Sequence, residues 1–457
     1  MAVIFLNQPL HSIGDDDAAL KEMGYRKVYG SIIPLSPGGD EVDEDLFKKL
    51  KSARKRERKI KKKCEELAKK ALNDFTAASK TYLSSKHCLF VALFELNKKS
   101  RIEDRLSLQA LWDLTVKYDI LKKLNEPVSV WDKPKSSGNG KRTIASFGPV
   151  ASAAQHMVKK LLRFTYEPQG LQFQHLSFSQ KVEHAITSIS AKGHKHVIEI
   201  DIEGFFPSFT EEALLKTLDL PNEAIRQIVM SNGANCNPHL KKHHKKCISL
   251  PSGLPQGSAS SAAVADWCVA NMHFQDLTDA TVINHADNFF VFAASKQAAE
   301  GVSKALSFAI TEAPGGNFKG IEKQSKSLQS GFSMLGCNIE VSTKGNAIVS
   351  PSEANLEKLS EETSKLVAWC ENLLRIANKT NSKIKRLRGL QEFLRLEGLY
   401  NGWLHAFAFC GSEIEVIKED ARYVLKLLRY EFDIHDYELK PLMDTSTNAA
   451  CKWYSGC

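Results

Sequence analysis

The feature that most constrains this chain is the stretch V-I-E-I-D-I-E-G-F-F-P-S-F-T, Val197 to Thr210. Val197, Ile198, Ile200 and Ile202 are β-branched and run toward a Gly and a Pro, so the pattern predicts a strand that stops at Pro207. Side chains two apart in a strand share a face, which puts Glu199 and Asp201 on one side of a sheet. A carboxylate near such a strand end either caps the following turn or holds a cation. A second segment, T-V-I-N-H-A-D-N-F-F-V-F-A-A-S (Thr281 to Ser295), sets Asp287 and Asn288 between two apolar β-forming runs. That reads as a hairpin with a polar tip, and its Asp can lie beside Asp201 if the two strands are neighbours. Two carboxylates brought together repel unless a divalent cation sits between them, so the pair calls for Mg²⁺ or Mn²⁺.

Between the two segments lies G-L-P-Q-G-S-A-S-S, Gly253 to Ser261, followed by A-A-V-A-D-W-C-V-A-N-M. Its Gly and Pro spacing predicts a tight loop whose backbone can approach a ligand, and the Ala-rich run predicts a closely packing helix. Upstream, W-D-K-P-K-S-S-G-N-G-K-R-T-I-A-S-F (Trp131 to Phe147) reads as two short strands about a turn crowded by Lys133, Lys135, Lys141 and Arg142. Alone, it would be a solvated basic turn. Downstream come E-K-Q-S-K-S and F-S-M-L-G-C-N-I.

Taken in chain order, these six motifs, over roughly residues 130 to 345, resemble the reverse transcriptases. The resemblance implies an α+β, right-hand polymerase fold with an antiparallel palm sheet, fingers and a helical thumb, plus a helical basic N-terminal extension. The expected division is residues 1–84 for the extension, 85–350 for fingers and palm, and 351–457 for the thumb and tail. It also implies two-metal nucleotidyl transfer of dNTPs, with Asp201, Asp287 and the Ile202 carbonyl holding two Mg²⁺ or Mn²⁺ ions. Arg142, and beside it Lys133, would meet the triphosphate, and Gln256 and Gly257 of the P-Q-G loop would contact the nucleotide. Phe206, five residues after Asp201, would lie under the sugar and exclude a 2′-hydroxyl; the alternative is an aromatic that only packs the core. Lys326 (or Lys323) matches the lysine that protonates the leaving pyrophosphate, and Met334 to Gly336 match the grip on the primer end. One departure stands out. The third motif is usually Y-x-D-D, and here His285 and Asn288 occupy its outer positions, so Asn288 keeps an oxygen ligand but loses a charge.

The remaining sequence is consistent with a polyanionic partner. The chain of 457 residues carries a formal charge of +9, which favours nucleic acid without requiring it. The run from Asp45 to Leu72 is rich in helix formers, with only a broken apolar stripe. Its Arg54, Lys55, Arg56 and Arg58 form either a solvated face or a phosphate-tracking one, and the second is favoured beside the other motifs. From about Glu353 the composition turns helical, and Ile384, Leu387, Leu390, Leu394, Tyr400, Leu404 and Phe407 recur at helical spacing. That leaves Arg386, Arg388 and Arg395, with Lys383 and Lys385, for a basic face on duplex. Cys236, His239, His243 or His244, and Cys247 could hold zinc, but a single Lys-rich loop reads better as a basic loop touching nucleic acid.

Ten Cys without regular short spacing fit free thiols in a reducing compartment. The N-terminal apolar run is short and lacks a basic leader, and no stretch approaches the ~20 apolar residues of a membrane span. A cytoplasmic protein with no membrane partner is expected. The compact architecture and F-F-P-S-F look closest to bacterial retron, abortive-infection and defence-associated reverse transcriptases. That implies antiphage defence, with a dedicated non-coding RNA as template, a DNA product, and a second reverse transcriptase or further copies of the chain among the partners. Template-independent DNA synthesis, and a silent palm that binds RNA or a partner polymerase, remain the competing readings.

Overall fold

The computed structural model describes residues 20–21, 24–29, 31–134, 140–165, 176–238, 249–274, 280–342, 345–439 and 442. In chain order the elements are β1 (Tyr25–Val28), β2 (Ser31–Pro34), α1 (Asp40–Ala68), α2 (Leu72–Ser84), α3 (Lys86–Asn97), α4 (Leu108–Lys117), β3 (Pro127–Pro134), β4 (Lys141–Ser146) and α5 (Pro149–Leu162). Then follow α6 (Phe178–Lys192), β5 (His196–Ile202), α7 (Glu211–Thr217), β6 (Asn235–Pro238), α8 (Ala259–Ala270), β7 (Ala280–His285), β8 (Asn288–Ala293), α9 (Lys296–Thr311) and β9 (Gly320–Ser327). The chain closes with β10 (Phe332–Met334), β11 (Cys337–Val341), β12 (Ala347–Pro351), α10 (Glu353–Thr380), α11 (Lys383–Ala406), α12 (Ser412–Glu431) and α13 (Asp436–Leu439). This is the expected α+β class with antiparallel sheet and a helical C-terminal region.

Two compact units emerge. One comprises Met1–Phe47, Asn97–Ala110 and Ser350–Cys457; the other comprises Lys48–Leu96 and Leu111–Val349. Most of basic helix α1 falls in the unit that holds the sheet, and residues 97–110 fall with the C-terminal helices.

The larger unit is built on a four-stranded sheet in the order β7-β8-β5-β9, and each neighbouring pair is antiparallel. On β5 the alternation works as the sequence predicts. Ile198, Ile200 and Ile202 are fully buried, and α9 packs on this side: a Cβ at Gly320 would meet Ile310 of α9 and Ile200 together. Glu199 and Asp201 alternate with them and keep some exposure. The strand ends at Ile202, before Pro207, because Gly204 adopts φ 55° and turns the chain into a short 3₁₀ segment, Phe206–Ser208. A second sheet has β3 between antiparallel β4 and parallel β6. Buried Glu126, just before β3, accepts the N–H groups of Val150 (3.1 Å) and Ala151 (2.8 Å), and so closes the base of this hairpin on the start of α5.

The predicted helix from Asp45 to Leu72 is α1, which starts five residues earlier and stops four residues short. α1 ends at Ala68, and α2 starts at Leu72, although no Gly or Pro separates them. The break lets α2 present its own buried stripe of Phe75, Ala78, Tyr82 and Leu83. In α1, Leu50, Ala53, Glu57 and Cys64 face inward, and buried Glu57 accepts from Tyr82 (3.2 Å) and Lys160 (3.3 Å).

In the smaller unit α10 and α11 pack along each other, and Gly389 is where they touch. A Cβ there would lie 2.5 Å from the Leu374 side chain. Leu387, Leu390, Phe393, Leu428 and Phe432 form the core, joined by Leu20, Ile32 and Ile102. The seven described Cys are free thiols, and among the described residues no helix is long and apolar enough to cross a membrane.

Candidate active site

Asp201 lies near the end of β5, in register with Asn288, the first residue of β8. Asp287 sits in the two-residue turn that joins β7 to β8, where His285 pairs with Asn288. The turn is tight enough to force Ala286 to φ 52°, a left-handed conformation that costs an Ala residue energy. The Ile202 N–H donates to the Asp287 carbonyl at 3.1 Å, which ties the strand end to this turn. Both Asp side chains are thereby held at one corner of the sheet. Burial and the nearby Asp201 charge push the Asp287 carboxyl above its ordinary pKa, while a backbone hydrogen bond, Lys323 and Arg142 pull it back.

Lys323 is the lysine at the site. Its Nζ lies 3.0 Å from Asp201 Oδ2 and donates to Asn288 Oδ1 at 3.3 Å. The Asn288 amide in turn donates to Asp287 Oδ1 at 3.3 Å. An amide can accept from the ammonium and donate to the carboxylate at once, which an ionised Asp at 288 could not do. Lys326 is corrected. It pairs with Val197, four residues up the strand from Asp201 and so about 13 Å away. The reason is a bulge between Glu199 and Ile200 that leaves Lys323 as the extra residue, re-aimed toward the carboxylates.

The Gly253–Gly257 loop connects this corner to the basic hairpin. Leu254 N–H donates to the Phe206 carbonyl at 2.9 Å, and a Cβ at Gly253 would sit 2.2 Å from that same oxygen. At the other end Ala145 N–H donates to the Gln256 carbonyl at 2.7 Å, and a Cβ at Gly257 would meet the Ala145 carbonyl at 2.1 Å. Only glycine fits either position, and Gly257 also takes φ 105°. Gln155, buried in α5, accepts the Ala259 N–H at 3.2 Å and steadies the start of α8. Nothing in the sequence singled out Gln155 or Glu126, because each acts on a backbone group distant along the chain.

On the hairpin, Lys133 and Arg142 are directly cross-strand, and both are exposed. Like charges so placed repel, and an anion between them would relieve that. Arg142 is also close enough to influence Asp287. Phe206 is half-buried, edge-on to Phe205 at 6.1 Å, while Phe205 itself packs with Phe209 and Phe318. Its ring therefore lies at the rim of the aromatic cluster beside the strand that carries Asp201.

The side chains here that could hold a metal are the two carboxylates, Asp201 and Asp287, which offer oxygen donors only. Among the described residues there is no cluster of three or more His, Cys, Asp or Glu that could hold an ion. Two carboxylates, one of them with its pKa raised by burial and by the other's charge, suit Mg²⁺, which takes one or two carboxylates and completes its shell from water and substrate phosphate. Of the proposed zinc ligands, Cys236 lies on β6 opposite Val128, and residues 239–248 lie outside the described residues. So do residues 135–139, the turn of the basic hairpin.

The arginines expected to grip nucleic acid are placed differently. Arg386 is corrected: it is buried, with its guanidinium on both Glu438 oxygens (3.1 and 3.0 Å) and on the carbonyls of Phe432 (2.6 Å) and Asp433 (2.8 Å). Arg388 is paired with Glu103, and Arg395 with Glu392 at 2.6 Å. On α1, Arg54 turns inward to Glu95 and lies over the Phe94 ring, whereas Lys55, Arg56 and Arg58 remain exposed. Arg56 lines a cleft with Lys80, Ser85, Lys86 and His87.

No protein family's sequence profile matches the chain, and no curated protein matches it in sequence. Among solved structures it is similar to the Sicinivirus 3Dpol RNA-dependent RNA polymerase, with 9% identity and a TM-score of 0.33 over 73% of this chain and 69% of that one. It is similar to apo telomerase from Candida tropicalis, with 12% identity and a TM-score of 0.34 over 72% of this chain and 64% of that one. It is also similar to telomerase from Candida albicans in complex with the TWJ fragment of telomeric RNA, with 11% identity and a TM-score of 0.32 over 74% of this chain and 65% of that one. The chain thus spans slightly under two thirds of each telomerase chain.

Proposed function

We propose that this protein is a nucleic-acid polymerase of reverse transcriptase type, with the four-stranded sheet as its palm. The observation that carries the reading is the meeting of Asp201 and Asp287 at one corner, linked through the glycine-clamped loop to Arg142. Bound Mg²⁺ would lower the pKa of a primer 3′-hydroxyl and neutralise charge on the triphosphate. The chain's own residues supply the rest. Asp201, Asp287 and the Ile202 carbonyl hold the ions. Arg142 and Lys133 meet the triphosphate as negative charge moves toward the leaving pyrophosphate. Lys323, rather than Lys326, is placed to give that pyrophosphate a proton once substrate draws it from Asp201. Phe206 is the proposed residue that excludes a 2′-hydroxyl, and Gln256 and Gly257 are the proposed nucleotide contacts of the loop. RNA is the proposed template, DNA the product, and bacterial antiphage defence the proposed setting.

A second reading draws on one observation. The Lys323 ammonium already rests on Asp201 and Asn288, as it would in a palm that binds RNA or a partner polymerase and performs no chemistry. The deciding experiment purifies the protein, sequences any RNA that accompanies it, and offers labelled dNTPs with Mg²⁺ or Mn²⁺. Incorporation should be lost in Asp201→Ala and Asp287→Ala with the fold retained. Substantial synthesis by either variant would sink the metal assignment. Product from wild type with neither ion nor RNA dependence would remove the templated reading, and no product under any condition would favour the silent palm.

A further inference from the structure

Helix α12 buries one face and exposes another that is just as apolar. Ile414, Ala421 and Leu428 point into the unit, at 6%, 3% and 1% exposure. On the opposite side Val416 (65%), Tyr423 (68%), Leu427 (48%) and Tyr430 (88%) lie open. Val416, Tyr423 and Tyr430 recur at heptad spacing, with Leu427 between the last two, so they form one stripe about 21 Å long. Large hydrophobics scattered singly on a surface need no explanation, but four aligned on one helix face do.

The sequence of α12 identifies what fits the stripe. Tyr423 is its midpoint, with Val416 and Tyr430 equally far on either side, so these three positions map onto one another under a two-fold axis at Tyr423. The charges are polarised along the same helix. Residues 412–420 hold Glu413, Glu415, Glu419 and Asp420 against Lys418, whereas 421–431 hold Arg422, Lys426 and Arg429 against Glu431. Antiparallel pairing sets the acidic half of one copy on the basic half of the other. Glu419 and Lys426 lie within about 20° of each other around the helix, on the same flank of the stripe. The two-fold therefore brings Glu419 of each copy beside Lys426 of the other, twice. The present partner of Glu419 is Arg422, in an exposed pair that water and salt weaken.

We propose that α12 is a self-association surface, through which two copies of this chain pair antiparallel about Tyr423. The contact is isologous, so it closes at two.

Sedimentation equilibrium on the nuclease-treated, full-length protein tests this. Wild type should rise with concentration from the 50.9 kDa monomer mass toward twice that value. Tyr423→Asp and Val416→Asp should stay at monomer mass with unchanged circular dichroism, since both side chains are exposed. Glu419→Lys alone and Lys426→Glu alone should each associate less than wild type, and a mixture of the two should recover the dimer. The proposal is overturned if wild type stays monomeric up to its solubility limit, if Tyr423→Asp associates as wild type does, or if the mixture fails to recover. None of these outcomes depends on whether the protein synthesises nucleic acid.

Discussion

Two arginine-rich helices, α1 and α11, read alike in the sequence and differ in the fold. Each was expected to present a row of cations to phosphate. On α1 only Arg54 is drawn inward, and Lys55, Arg56 and Arg58 stay exposed. On α11 every named arginine has an acid: Arg386 with Glu438, Arg388 with Glu103, Arg395 with Glu392. The lesson is one of surroundings. A helix whose flank faces solvent keeps its charges free, whereas one enclosed on nearly all sides must satisfy each charge it carries. α11 is such a helix, with Gln391, Glu392, Phe393, Leu394 and Leu396 buried in close succession.

The contrast can be broken most severely at Arg386. Arg386→Ala leaves Glu438 buried without its partner and strips two carbonyls of their donor, so it should cost about 3–5 kcal/mol in urea or thermal unfolding. A variant as stable as wild type would mean that Arg386 is not structural, and would reopen it as a phosphate contact. Arg54→Ala should be milder, about 1 kcal/mol, because its pair with Glu95 is partly solvated and the Phe94 stack adds little. A loss as large as that at Arg386 would show that α1 depends on buried charge as α11 does.

The smallest effect on stability, within about 0.5 kcal/mol, is expected for Lys55→Gln with Arg58→Gln. Nucleic-acid binding is where this pair should register. If both cations meet phosphate, the slope of log affinity against log salt should flatten by about 2. A slope that does not move would make α1 a solvated face. The same measurement on Arg388→Gln should show no change in slope, since Glu103 already neutralises that arginine.

Asn288→Asp bears on a comparison within the site itself. The substitution removes the donor to Asp287 and adds a charge beside Lys323, and it should let the site saturate at lower Mg²⁺. Metal titration followed by thermal shift would detect this without an activity assay. Unchanged or weaker metal binding would show that the ammonium of Lys323, not the missing carboxylate, controls the site's charge.

Local patterning was sufficient to locate most of what the site is made from. Alternation on β5 predicted Glu199 and Asp201 on one face, because a strand's period of two is a property of the backbone alone. The His285–Asn288 turn, the Lys133–Arg142 hairpin and the glycines at 253 and 257 could be read for the same reason: steric limits on φ and ψ act within a few residues. Tertiary structure decided the matters that depend on which distant residues meet. A bulge in β9, opposite Glu199 and Ile200, chose Lys323 over Lys326, and which residue of β9 is left over depends on its register with a distant strand. Glu438, far along the chain from Arg386, chose burial for a residue that periodicity had placed toward solvent. The break between α1 and α2 has no local signal either, since it serves the packing of Phe75 and Tyr82. Charge availability is set by burial and by partners, both long-range, so a sequence specifies where cations occur but only the folded chain determines which are free.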